Sequence, residues 1–183
     1  TVAVNNNAGP HMGEVYIAFS HLTASDADIM FVSSLDGGLT WSAPVRVNQD
    51  PTASGLDQWA PHMRVDDKTG AIVVTYYDRR NDPFNNRIEV WSSTSYAGGL
   101  TWRDCMVSTF GPAAPISNVG FPIAPYIGDY LGTDRHPING AAFGWNDGTN
   151  TVDQDIFYNI AVRCDSDGDG IPDDVDNCPS VYN

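Results

Sequence analysis

The densest run of ligand-type side chains lies near the C-terminus, where residues 165–176 read Asp-Ser-Asp-Gly-Asp-Gly-Ile-Pro-Asp-Asp-Val-Asp. Asp165, Asp167 and Asp169 fall at every second position. Gly170 permits a sharp turn, and Ile171 offers a backbone carbonyl just beyond it. Asp173 and Asp176 follow at the ninth and twelfth places of the run. Carboxylates crowded this closely repel one another unless a cation sits among them. Hard oxygen ligands in such number suit Ca²⁺, which takes about six to eight of them.

A second cluster is Tyr76-Tyr77-Asp78-Arg79-Arg80, at the end of an apolar run. It reads as a strand end carrying a solvated ion pair. The histidines, His11, His21, His62 and His136, have no metal-ligand spacing; His11 and His62 each follow a proline and precede a methionine, which reads as one structural position repeated. No Ser-His-Asp arrangement, phosphate loop or zinc signature is present.

The Asp-x-Asp-x-Asp-Gly phasing matches the first ligand positions of an EF-hand loop. Asp176 stands where that loop has its bidentate glutamate, and no helical pattern flanks it. With Cys164 before it and Asn177-Cys178-Pro179 after it, the segment resembles a thrombospondin type 3 repeat over residues 164–179. That resemblance implies a calcium-binding tail over 164–183, with Asp165, Asp167, Asp169, Ile171, Asp173 and Asp176 as ligands. Cysteines suit an oxidising compartment. Cys164 and Cys178 could close the loop on each other, or Cys105 could pair with Cys164 and tie the tail to the preceding domain; the sequence leaves both open.

What positions this tail is a repeated strand-and-turn pattern. Ser34-Leu35-Asp36-Gly37-Gly38-Leu39-Thr40-Trp41 returns as Ser95-Tyr96-Ala97-Gly98-Gly99-Leu100-Thr101-Trp102, with alanine in place of the aspartate. In the first, Asp36 can accept hydrogen bonds from its own turn, the glycines supply positive φ, and Thr40 and Trp41 re-enter a strand. The indole is expected to plug the gap between neighbouring sheets. The pattern resembles the Asp box of sialidase-type (BNR) repeats, with Ser34, Asp36, Gly38, Thr40 and Trp41 in the first copy and Gly99, Thr101 and Trp102 in the second. In that family the box is structural and lies away from the active site.

Aligned on the boxes, the chain repeats. One unit has strands expected at Thr1–Asn5, Glu14–His21, Asp28–Ser34 and Val45–Asn48; the next at Pro61–Asp67, Ala71–Arg79, Arg87–Ser93 and Cys105–Thr109; a third at Tyr126–Leu131, Gly140–Trp145 and Asp155–Val162, without a clear fourth strand. Four antiparallel strands per unit is a propeller signature. The fold expected is therefore all-β: a partial sialidase-like β-propeller over 1–163, with blades at roughly 1–50, 57–110 and 121–163, the last incomplete. Closed propellers have about 4–8 blades, so open faces are expected to be covered by further copies of the chain, by the rest of a longer chain, or by the Pro- and Gly-rich stretch Phe110–Pro125.

The 183 residues carry Lys+Arg 9 against Asp+Glu 23, a formal charge of −14. That repels nucleic acid and anionic membranes, and no apolar run is long enough to span a bilayer. Sialidases use an arginine triad, a Tyr-Glu nucleophile pair and an Asp acid/base; Arg64, Arg79, Arg80 and Arg135 are at hand, but no Arg-Ile-Pro motif introduces them. The expectation is a non-catalytic, calcium-stabilised extracellular or cell-surface module for adhesion or assembly, with glycan as a candidate ligand. The alternative is a C-terminal fragment of a secreted sialidase-like glycoside hydrolase. If the tail holds Ca²⁺, EDTA will lower the melting temperature and added Ca²⁺ will restore it; a melting curve indifferent to both would remove the calcium reading.

Overall fold

The computed structural model describes residues 1–85, 87–107, 131–136, 140–147 and 155–161. The tail ligands, Cys164, Cys178 and the stretch Phe110–Pro125 lie outside them. Among the described residues all regular structure is strand, in three antiparallel sheets. The first is β1 (Val2–Val4), β2 (Val15–Leu22), β3 (Ala27–Ser34) and β4 (Val45–Arg46), in that order. The second is β5 (Gln58–Val65), β6 (Ile72–Asp78), β7 (Glu89–Ser95) and β8 (Arg103–Met106), again in order. The third is β9 (Gly132–His136), β10 (Gly140–Asp147) and β11 (Asp155–Ala161). Strand β5 lies against β1, β2 and β3 on one side and against β9 on the other, so the sheets stack in chain order. This is the partial β-propeller expected, with an incomplete last sheet.

Several boundaries differ from expectation by a few residues, those of β4, β7 and β8 among them. Of the strand expected at Tyr126–Leu131 only Leu131 lies among the described residues; it is buried and precedes β9. Strand β5 starts earlier than Pro61 because a bulge between Trp59 and His62 lets it absorb the proline, with Ala60 at φ 53°. A bulge is where a strand tolerates a missing N–H donor. The expected equivalence of His11 and His62 does not hold: His62 lies within β5, whereas His11 lies in the turn between β1 and β2.

Periodicity follows burial. In the first sheet Tyr16, Ala18, Ile29 and Phe31 share one face and are buried, while Val15, Ile17 and Phe19 on the other face are half-buried. The β6 run Ile72–Asp78 is apolar almost throughout because both its faces are covered. Met63, Val65, Ile72, Val74 and Tyr76 pack on the first sheet's buried face, forming one core across the seam. Tyr77, Val90 and Val107 join Ile88 and Leu131 in a second core on the opposite side.

The two glycine hairpins close the same end of both sheets. In the first, Asp36 Oδ1 accepts from the Leu39 and Thr40 amides at 3.0 and 2.8 Å, and Oδ2 accepts from Thr40 Oγ1 at 2.6 Å. Gly37 and Gly38 take φ of 72° and 96°. In the second, Ser95 Oγ accepts from the Ala97 and Gly99 amides at 3.2 and 3.0 Å. Only Trp102 plugs a gap between described sheets: it meets Phe31 edge-on, centroids 5.2 Å apart at 70°. Trp41 is 40% exposed, a departure from the symmetrical role expected of both indoles.

The hydrogen bonds from Thr40, chiefly its hydroxyl, hold the Asp36 carboxyl down at about 2, against an ordinary 3.8. A depressed carboxylate contributes stability that is present above the unfolded value and is lost as pH falls through the folded one. The Asp36→Ala variant is therefore expected to melt lower than the parent at pH 7, with the gap closing between pH 4 and pH 2. A gap unchanged across that window in a pH-resolved melting series would refute the assignment.

Candidate functional site

The end of the sheets opposite the hairpins collects the charge. It is built from the β2–β3 turn, the β4–β5 connection and the loop after β6, and these bring Asp28, Arg46, Asn48, Asp50, Gln58, Asp78 and Arg80 together. Asp28 accepts from Arg46 Nε at 2.6 Å and from Asn48 Nδ2 at 2.9 Å. Asp50 accepts from Arg46 Nη2 at 2.9 Å and from Asn48 Nδ2 at 2.7 Å. Asn48 also donates to Gln58 Oε1 at 2.8 Å, carrying the network across the seam into the second sheet.

There it meets Arg80, whose Nε donates to Asp78 Oδ2 at 2.8 Å, Nη1 to Asp104 Oδ2 at 2.6 Å and Nη2 to the Tyr76 hydroxyl at 3.1 Å. Its guanidinium sits 3.9 Å from the Trp91 ring centroid. The Tyr76-to-Arg80 stretch is thus a buried network and not the solvated ion pair expected: Arg80 is 11% exposed and Asp78 is 0%. Two features hide this from a sequence reading. Asp104 is twenty-four residues away, and Tyr76 turns its hydroxyl to Ser93 on the neighbouring strand, at 2.7 Å. Burial pushes the Asp78 carboxyl up, against the hydrogen bond and charge of Arg80. It also pushes the Tyr76 hydroxyl well above its ordinary range, with Asp104 adding to the effect.

Because all its donors point at internal acceptors, Arg80 is a brace and is not poised to clamp an incoming carboxylate. Arg46 is engaged in the same way. Arg64 lies on β5, away from this end, 3.3 Å from Asp134; the side chain of Arg135 lies outside what is described.

A more open group adjoins the network. Arg79 Nη1 lies 3.6 Å from Asp57 Oδ2, and its guanidinium lies 4.6 Å from the Trp59 ring centroid. Arg79 Nε has no hydrogen-bond partner. Burial pulls the Arg79 guanidinium down, outweighing the opposite effect of Asp57 and Asp82. Asp57 joins three segments, accepting from the Ala27 amide at 3.0 Å and from Asn85 Nδ2 at 2.7 Å. Beside it, Arg79, Asn81, Asp82, Arg87 and Glu89 line a cavity of about 10 Å³, roughly one water in size. Glu89 Oε2 accepts from Trp91 Nε1 and Asn81 Nδ2, each at 2.8 Å. Sequence reading missed Asp57, Trp59 and Glu89; the Pro61 bulge beside Trp59 is the one signal that could have pointed there. No group of three or more His, Cys, Asp or Glu able to hold a metal occurs among the described residues.

Of the sequence-level site residues, the hairpin set Ser34, Asp36, Gly38, Thr40, Trp41, Gly99, Thr101 and Trp102 lies at the far end of the sheets from this network. Cys105, on β8, is disulfide-bonded. Cys164 and Cys178, the other two cysteines of the expected pairings, lie outside the described residues.

No protein-family model matches the chain, and no curated protein matches it either. Solved structures do. The α-L-arabinanase of Penicillium chrysogenum, complexed with arabinobiose, overlays 86% of this chain at a TM-score of 0.55 and 17% identity. The GH93 α-L-arabinofuranosidase of Fusarium graminearum, also with arabinobiose, overlays 91% at 0.49 and 12% identity. The chain spans 46% and 50% of these two proteins' lengths. The likeness bears on the fold, and the expectation of a non-catalytic adhesion module is withdrawn, because the solved structure that overlays at 0.55 is that of an α-L-arabinanase.

Truncating Asp104 is expected to strip Arg80 and Ser93 of an acceptor while leaving the guanidinium buried. Removing one partner of a buried ion pair costs about 3–5 kcal/mol, so Asp104→Ala should lose stability of that order in urea unfolding. A loss below about 1 kcal/mol would mean that the network is not a brace.

Proposed function

We propose that this chain forms part of a glycoside-hydrolase β-propeller whose substrate is a neutral sugar chain of the arabinan kind. The observation that supports it most is the overlay of 86% of the chain on the α-L-arabinanase. The chain's own electrostatics favour an uncharged substrate over a sialoside. Arg46 and Arg80 are held by internal carboxylates, and the formal charge is −14, which disfavours an anionic ligand. Sugar sites pair a flat apolar surface with a few fixed polar groups. Trp59, half-buried with the Arg79 guanidinium over its ring, and the partly exposed Asp57 carboxylate beside it are the groups of this kind here.

Glycoside hydrolysis uses two carboxyl groups flanking the scissile bond. Among the described residues Asp57, the more exposed carboxylate beside Trp59, is the one we assign to such a pair. The disulfide at Cys105 supports a secreted or cell-surface location, since such bonds persist in oxidising compartments. A bound Ca²⁺ in the acidic tail fits the same setting.

The test is turnover by the full-length polypeptide of linear arabinan and of an aryl α-L-arabinofuranoside, beside a fluorogenic sialoside. Arabinose release without sialoside cleavage is expected, and Trp59→Ala is expected to raise KM at least ~10-fold with less effect on kcat. Cleavage of the sialoside alone, or of neither substrate, would defeat the proposal.

A further inference from the structure

Two of the sheets repeat each other closely enough to be compared position by position. The pairs Val4↔Val15 and Val15↔Ser34 in the first sheet correspond to Val65↔Ile72 and Ile72↔Ser95 in the second. Val2 and Val4 thus match Met63 and Val65, and Trp41 matches Trp102. Met63 and Val65 are each 4% exposed because they pack on the first sheet, whereas Val2 and Val4 are 64% and 46% exposed.

The hairpins tell the same story. A Cβ placed on Gly99 would lie 2.1 Å from the Phe31 ring, and one on Gly98 would lie 2.6 Å from the His11 ring. The second hairpin is therefore seated under two rings of the preceding sheet. At the matching Gly38, the nearest atom is 3.6 Å away and belongs to Trp41 of the same hairpin; at Gly37, nothing lies within 4 Å. The hairpin tips behave differently. Leu35 and Leu39 are 78% and 85% exposed, and their counterparts Tyr96 and Leu100 are 60% and 76%. Tip exposure is common to both sheets, so it belongs to the hairpin. Exposure of Val2, Val4, Trp41 and the glycine pair is confined to the first sheet, so it reflects a missing neighbour.

We propose that this face of the first sheet is a sheet-to-sheet seam, and that its occupant is another four-stranded sheet of the same build in the same polypeptide. That sheet sets a ring over Gly38 and against Trp41, as Phe31 does for Gly99 and Trp102, and a loop side chain over Gly37, as His11 does for Gly98. A sheet of the same build fits better than an unrelated partner because the open surface repeats, residue for residue, one whose partner is already seen. The ring should come three residues ahead of the serine that opens the occupant's own glycine hairpin, the spacing of Phe31 to Ser34. The inference does not depend on the catalytic reading.

The test compares the 183-residue chain with the polypeptide as encoded, each carrying Val4→Asp on the open face or Leu35→Asp on the tip. In the encoded polypeptide, Val4→Asp is expected to lower Tm by at least ~5 °C, while Leu35→Asp leaves it within about 1 °C. The encoded polypeptide should stay monomeric in light scattering at micromolar concentration. Equal tolerance of the two substitutions overturns the proposal, as does an encoded polypeptide in which no further glycine hairpin has the ring-to-serine spacing. A dimer of the encoded polypeptide that Val4→Asp dissociates would also overturn it, assigning the face to a second copy.

Discussion

The arrangement rests on one close approach: the Phe31 ring laid over Gly99, with the Trp102 indole edge-on beside it. No other residue fits at Gly99. Its φ is 89°, and a Cβ would enter the ring that fixes the spacing of the two sheets. Edge-to-face aromatic pairs add about 0.5–1.5 kcal/mol beyond the area they bury. The larger effect is geometric. With the hairpin locked under Phe31, the faces of β2 and β5 meet in a register that lets Tyr16, Met63, Val65 and Val74 share one core.

The opposite end of the same seam is held by charge. Here the seam holds Arg46, Asn48, Gln58 and Arg80 with their carboxylate partners. Such groups cost several kcal/mol to desolvate and are tolerated because their donors are matched. The consequence for function is that these arginines serve the frame. The more exposed charges lie beside it, where Arg79 stacks on Trp59 next to Asp57.

Much of the frame was legible because its signals are local. The Gly-Gly-Leu-Thr-Trp hairpins and the period-two alternation placed eight strands of two sheets within a few residues. The bulge at Trp59–His62 was not legible, since a proline read as a strand start was absorbed inside the strand. The polar seam escaped because Asp28, Asn48, Asp78 and Asp104 sit on four different strands or connections, and their types look like solvated surface when read singly. Trp59 and Arg79 are twenty positions apart, joined only through the pairing of β5 with β6. The likeness to sialidases pointed to the right architecture and the wrong weight of function. A box that shapes a hairpin carries no information about the chemistry at the far end of the sheet.

The second hairpin lacks the aspartate that clasps the first, yet it keeps the same turn, with Gly98 and Gly99 at φ of 61° and 89°. His11 and Phe31, pressed on it from outside, do what Ala97 cannot. In an array of duplicated modules, contact with a neighbour thus relaxes the requirement that each module be self-sufficient.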